Sequence, residues 1–237
     1  MSAVAVRKAV FAAGEIAAGA HLLPSVLTIP AVHRRVAPRL SGRSARPHVA
    51  LTFDDGPDPV ATPRFLDALA ELDVRATFFV LGSLVQRHED VTRRIAADGH
   101  ELAVHCWVHT PHLLRAPWRI HADIARTQAA VHDIATPRFW RPPNGIITGA
   151  GLLAASQLGL TPVLWTDDGH DWSAGATTDT IAARVTTGLT PGAVVLLHDS
   201  DITSAPDSWR RTLDALPRIV AHCRSLDWSI GPLREHW

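Results

Sequence analysis

Tyrosine is absent from this 237-residue chain, cysteine occurs twice, and lysine and methionine once each. Each scarcity removes chemistry. A Schiff-base or phosphate-loop lysine would have to be Lys8, ahead of the part of the chain that reads as a folded domain. Cys106 and Cys223 show no Cys-x-x-Cys spacing and are too few for a disulfide framework, so they give no compartment signal. Formal net charge is zero and the isoelectric point is about 7.3, which leaves no overall basic field for nucleic acid. No run of 18 uncharged apolar residues exists, and no spanning helix is expected. Histidine, at 14 residues, is abundant. Polar chemistry therefore falls to His, Asp, Glu and Arg.

Charge is unevenly spread. Residues 1–46 carry Arg7, Lys8, Arg34, Arg35, Arg39, Arg43 and Arg46 against Glu15 alone. The apolar stretch after Lys8, with Ala18-Gly19-Ala20 as a cleavage site, reads as a secretory signal that Glu15 interrupts. A helix over residues 4–20 lying on a membrane, with the following arginines meeting anionic lipid, is a second reading, and a packed N-terminal extension a third. Location follows from that choice: exported or membrane-associated if residues 1–20 act as a signal, cytoplasmic otherwise.

From Pro47 onward short apolar runs alternate with amphipathic ones, and residues 47–237 are expected to form one domain of adequate core size. Strands are expected over 48–53, 76–81, 101–105, 138–141, 161–165, 193–197 and 227–230. Helices are expected over 62–72, 84–98, 119–135, 149–158, 177–188 and 207–223. Runs such as Ala-Thr-Phe-Phe-Val-Leu are apolar throughout, as strands buried on both faces must be. The pattern implies a parallel α/β sheet, open or closed into a barrel.

In such folds functional groups collect where strands give way to loops. Asp54 and Asp55 follow the first expected strand, His105 and His109 the third, Arg141 the fourth, and His198 the sixth. A strand points adjacent side chains to opposite faces, so the Gly56-Pro57 turn is needed to re-aim the two acids. One carboxylate could then bind a cation while its neighbour acts as base. Alone, Asp-Asp-Gly-Pro is also ordinary turn or helix N-cap chemistry. Imidazoles four residues apart share a face on one helical turn and suit a single Zn²⁺ or similar ion, completed by one carboxylate. His112 reads as loop and Cys106 as a buried small hydrophobe.

Five segments, in order, carry a resemblance: Thr-Phe-Asp-Asp-Gly-Pro from 52, His-x-x-x-His from 105, Arg-Pro-Pro-Asn-Gly from 141, Asp-Gly-His-Asp-Trp from 168 and Leu-Leu-His from 196. Over residues 47–230 the chain resembles the polysaccharide deacetylases of carbohydrate esterase family 4, the NodB-homology domain. The resemblance implies an α/β fold, a distorted, TIM-like (β/α) barrel of about seven strands. It implies a divalent metal, Zn²⁺ or else Co²⁺, held by Asp55, His105 and His109, with Asp54 as general base. Arg141 would pair with Asp54 and orient it, His198 steadied by Asp171 would protonate the departing amine, and Trp172 and Leu196 would wall the acetyl pocket. The implied activity is removal of N-acetyl groups from N-acetylhexosamine units of a peptidoglycan- or chitin-like glycan. O-deacetylation of xylan and a non-catalytic glycan-binding relative stand as alternatives.

One position departs from the pattern. The third segment of the family reads Arg-Pro-x-Tyr-Gly, and here Asn144 stands in place of the tyrosine. The family uses that residue's backbone N–H toward the oxyanion, which any non-proline residue supplies. What changes is the side chain, a short amide able to hydrogen-bond a sugar.

Overall fold

The computed structural model of the chain describes residues 18–237, so the expected signal or membrane helix over 4–20 lies almost wholly outside the described residues. Eight parallel strands form its centre: β1 (His48–Asp54), β2 (Thr77–Leu81), β3 (Glu101–Cys106), β4 (Phe139–Trp140), β5 (Thr161–Pro162), β6 (Asp167–Asp168), β7 (Val194–His198) and β8 (Ser229–Gly231). Their order is β5-β4-β3-β2-β1-β7-β6, with β8 beside β1. The sheet curls into the distorted (β/α) barrel of the expected class. Among the described residues no ladder joins β5 to β6.

That gap is closed from the amino-terminal side. Leu164 N–H donates to the Leu40 carbonyl at 2.7 Å, and Thr166 N–H to Val194 at 2.9 Å. Gly42, at φ 78°, lies so close that a Cβ would stand 2.6 Å from Val194 Cγ2 and 2.9 Å from Val163 Cγ1. A side chain there would both strain the backbone and push the strap off the barrel.

Period-two alternation sorts β1. Val49, Leu51 and Phe53 face the outer layer, where Phe65, Leu66 and Leu69 of helix α2 and Leu216, Ile219 and Val220 of helix α8 cover them. Ala50, Thr52 and Asp54 share the opposite, inner face, where Ala50 meets Phe79, Ala103 and Val194. The helices lying wholly within the described residues are α1 (Pro30–Val36), α2 (Ala61–Glu71), α3 (Gly82–Arg87), α4 (Glu89–Ala97), α5 (Pro117–His132), α6 (Gly149–Gln157), α7 (Thr178–Thr186) and α8 (Ser208–Ser225).

Several expectations need correction. The helix expected over 84–98 is two helices, broken at His88, whose φ of −129° and ψ of 54° are not helical. Strand β6 lies outside the expected set, since Asp167 and Asp168 carry no strand signal; pairing with Val195 and Leu196 of β7 makes them one. The strands expected over 138–141 and 161–165 also shrink to two residues each.

Candidate active site

The carboxyl ends of the strands open into a cavity of about 330 Å³ lined by Asp54, Asp55, His105, His109, Asn144, Gly145, Trp165, Trp172, Leu196, His198 and Thr203. Strand register builds it: Asp54 pairs with His198 across β1 and β7. Asp55 would point away if the strand continued, but its φ of 75° turns the chain at that residue. Gly56 lets the turn lie directly against Asp199, because a Cβ there would collide with the Asp199 carboxylate.

The two acids have different surroundings. Asp54 Oδ1 accepts from Arg141 Nη1 at 2.7 Å. Arg141 is fully buried; its Nη1 also reaches Thr52 Oγ1 at 2.9 Å, Nε the Val163 carbonyl at 3.2 Å and Nη2 the Leu164 carbonyl at 2.8 Å. Its guanidinium carbon lies 4.0 Å from the centre of the Phe79 ring. A donor fork satisfied on every side fixes which oxygen of Asp54 it holds. Asp54 Oδ2 accepts no hydrogen bond from the described residues.

Asp55 instead faces imidazoles. Its Oδ1 lies 3.3 Å from His105 Nε2 and 3.7 Å from His109 Nε2, and its Oδ2 accepts from the Thr203 hydroxyl. Buried Oδ1 has no hydrogen-bond partner. His105 Nδ1 lies 2.7 Å from the Arg141 carbonyl, so that nitrogen carries the proton and Nε2 presents its lone pair to Asp55. Two lone pairs facing each other at this distance call for a positive charge between them. Burial pushes the Asp55 carboxyl up, but the facing histidines outweigh it and hold it well below the usual carboxylate range. His105 is raised, burial being overcome by Asp54 and Asp55, while His109 is lowered by burial. The three ligand atoms lie within 4.8 Å of one another. Donors around one tetrahedral Zn²⁺ stand roughly 3.3 Å apart, so the set fits a divalent cation with little adjustment.

His198 lies on the other side of the cavity. Its Nδ1 bonds Asp171 Oδ1 at 2.9 Å, and its backbone N–H reaches Asp171 Oδ2 at 2.8 Å. Thr212 Oγ1 donates to the same Oδ2 at 2.9 Å. Burial opposes the charged imidazole, yet Asp171, with Asp55 and Asp54 behind it, lifts His198 to about 10. Trp172 meets its ring edge to face, centroids 5.6 Å apart. The Nε2 proton therefore points into the cavity from an imidazolium whose far side is fixed.

A protein-family model described as polysaccharide deacetylase matches residues 41–163. The chain belongs to the polysaccharide deacetylase family. It is a hydrolase of that family. It is 38% identical over 197 residues to a chitooligosaccharide deacetylase of Bradyrhizobium sp. (strain ANU 289), covering 79% of this chain and 89% of that one. Among solved structures, a peptidoglycan N-acetylglucosamine deacetylase in complex with 4-naphthalen-1-yl-N-oxidanyl-benzamide aligns with a TM-score of 0.77 at 31% identity, over 84% of this chain and 91% of that one. A family 4 acetyl xylan esterase from Clostridium thermocellum, in complex with cobalt, gives 0.73 at 33% identity over 80% and 89%. Deacetylases of this family are metal-dependent, and the Asp55, His105 and His109 cluster is where the donor set fits an ion.

Of the residues expected from sequence, Asp54, Asp55, His105, His109, Asn144, Trp172, Leu196 and His198 all line the cavity. Arg141 and Asp171 are fully buried behind Asp54 and His198. Asn144 is exposed at φ 55°, a left-handed position that Asn adopts more readily than most residues. Sequence reasoning does not single out Thr203, Trp165 or Thr212. Trp165 could be suspected from Gly145, whose added Cβ would stand 2.6 Å from the Trp165 ring. Thr203 and Thr212 are threonines in a loop and a helix, with no local signal. Asp168 belongs elsewhere, paired with Arg184 at 3.3 Å.

Proposed function

We propose that this deacetylase hydrolyses the N-acetyl groups of N-acetylhexosamine units in a chitin- or peptidoglycan-like glycan. The observation that supports this most is the opposition, across one cavity, of a carboxylate held by an arginine and an imidazole held by a carboxylate. Asp54 has Oδ1 held by Arg141 and Oδ2 free to take a proton from water. His198 presents a proton at Nε2, because Nδ1 is engaged by Asp171. An amide needs both, since its amine leaves poorly unless it is protonated.

A divalent ion held by Asp55, His105 and His109 would supply Lewis-acid chemistry, polarising a carbonyl and acidifying water. Two imidazoles and one carboxylate favour Zn²⁺, with Co²⁺ as a substitute. Trp172 and Leu196 form the apolar wall that a methyl group needs and that keeps bulk water out. The Asn144 side chain, on the cavity margin, replaces an aromatic wall with a group able to donate to or accept from a sugar hydroxyl.

Likeness to an acetyl xylan esterase supports a second reading, O-deacetylation with the same residues. Acetate release measured side by side on chitooligosaccharides, peptidoglycan fragments and acetylated xylan separates the two. Release from the first two is expected, abolished by chelation and restored by Zn²⁺ or Co²⁺. Turnover that survives exhaustive metal removal would refute the metal reading, and release from xylan alone would refute N-deacetylation.

A further inference from the structure

The amino-terminal segment lies along the rim of the catalytic cavity. His21 Nε2 bonds the Leu113 carbonyl at 3.1 Å, four residues beyond His109. Thr28 Oγ1 accepts from Ile147 N–H at 3.4 Å, three residues beyond Asn144. Arg34 Nη2 donates to the Thr166 carbonyl at 2.7 Å, one residue beyond Trp165. These three contacts fall on loops at the carboxyl ends of β3, β4 and β5, the same ends that carry the site.

The sequences brought together here share a bias. None of the 23 Asp and Glu residues lies within 18–53, 102–122 or 134–166, apart in sequence but neighbours in the fold. Arg34, Arg35, Arg39, Arg43, Arg46 and Arg119 lie in these stretches and are exposed. Among them stand uncovered apolar side chains: Leu23 is 73% exposed, Ile29 52% and Val36 65%. On the loops and helices the segment touches, Leu114 is 94% exposed, Trp118 72% and Leu153 59%. Among the described residues no helix is long and apolar enough to cross a membrane.

Aliphatic and tryptophan side chains interleaved with arginine, on a surface where the half-buried Asp167 is the acid facing Arg34 and Arg43, match the chemistry of an anionic bilayer interface. The apolar groups enter the acyl boundary and the guanidinium groups stay among headgroups. A soluble anionic polymer would use the arginines and leave Leu23, Ile29 and Leu114 in water, which favours the bilayer over a polymer.

We propose that the rim formed by residues 18–39 with Leu114, Trp118 and Leu153 docks on an anionic lipid surface and turns the cavity mouth toward it. The glycan it acts on is then one held at a membrane; this second part rests on the deacetylase reading, whereas docking does not.

Co-sedimentation of the full chain with vesicles tests docking without turnover. Binding to phosphatidylglycerol–phosphatidylcholine vesicles is expected, weakening with salt, with little binding to phosphatidylcholine alone. Arg35→Gln and Arg39→Gln should each lower partitioning about fivefold, from the headgroup attraction of one arginine. Leu23→Asp should lower it further while leaving retention on dextran sulfate unchanged. No preference for anionic vesicles, or indifference to all three substitutions, overturns the proposal; so does equal loss of vesicle and dextran sulfate binding in Leu23→Asp. For orientation, an acetylated oligosaccharide carrying a lipid anchor in the same vesicles should be turned over faster than the free one. Arg35→Gln should remove that advantage and keep the rate on free substrate. Equal rates on both substrates overturn the orientation. Silence on both refutes the deacetylase reading, while sedimentation still decides docking.

Discussion

Replacing Asp171 by Asn tests how His198 comes to hold its proton. Asp171 is fully buried and accepts from His198 Nδ1, His198 N–H and Thr212 Oγ1. The substitution keeps the shape and removes the charge, which leaves burial as the first influence on the imidazole. His198 stands at about 10 in the intact site against an ordinary 6.5. That separation corresponds to on the order of 5 kcal/mol favouring the imidazolium, and a cation on Asp55 would cancel that carboxylate's share of it. The raised value also bears on stability: its contribution is fully present below pH 6.5 and is lost as pH rises through the folded value near 10.

Catalysis should follow the same sign. The proposed role of His198 requires its protonated form, so wild-type kcat is expected to fall on the alkaline side at a pH between 6.5 and about 10. Asp171→Asn should move that limb to neutrality or below and reduce kcat at pH 8 by roughly 10²- to 10³-fold, the usual worth of a positioned acid. Acetate release across the pH range reads the limb, metal analysis verifies that the ion is retained, and thermal unfolding verifies the fold. An alkaline limb that does not move, with kcat within a few-fold of wild type, would refute the assignment of His198 and Asp171.

Three further outcomes are expected. Asp54→Asn should retain metal and lose about 10²- to 10⁴-fold in kcat, whereas His105→Ala should lose the metal itself; equal metal loss in both, by elemental analysis, would mean that the roles of the two acids are reversed. Arg141→Met should lower stability by about 3–5 kcal/mol in chemical denaturation, because it strands the buried Asp54 carboxylate and removes the donor to the Val163 and Leu164 carbonyls. Gly56→Ala should weaken metal retention, since its Cβ would collide with the Asp199 carboxylate and displace the adjoining Asp55; unchanged affinity would show that the turn has room to yield.

The elements legible in the sequence are those whose signal is local. Strands β1, β2, β3 and β7 are fully or almost fully buried, so their apolar runs announce them. Asp167 and Asp168 become a strand only through the backbone of β7, and nothing in two acids predicts that. The break at His88 likewise has no glycine or proline to mark it. His112, which reads as a loop residue, is fully buried and stacked on Trp140, a contact set by tertiary packing. Trp209 is buried in the core and Trp118 is exposed, a difference that depends on tertiary packing. Within the site, motif residues can be named because each sits at a strand end. Thr203 and Thr212 cannot, because their partners Asp55 and Asp171 lie 148 and 41 residues away.

The pairing of Asp54 with His198 across β1 and β7 has an evolutionary consequence. The two are held one strand apart by the backbone ladder, at a spacing that side-chain changes in the surrounding loops do not reset. On the proposed function, replacements such as Asn144 at the cavity margin would alter which sugar is admitted while the path a proton travels stays constant. Selectivity and reactivity would then be separately heritable, and a lineage could explore new glycans without rebuilding its chemistry.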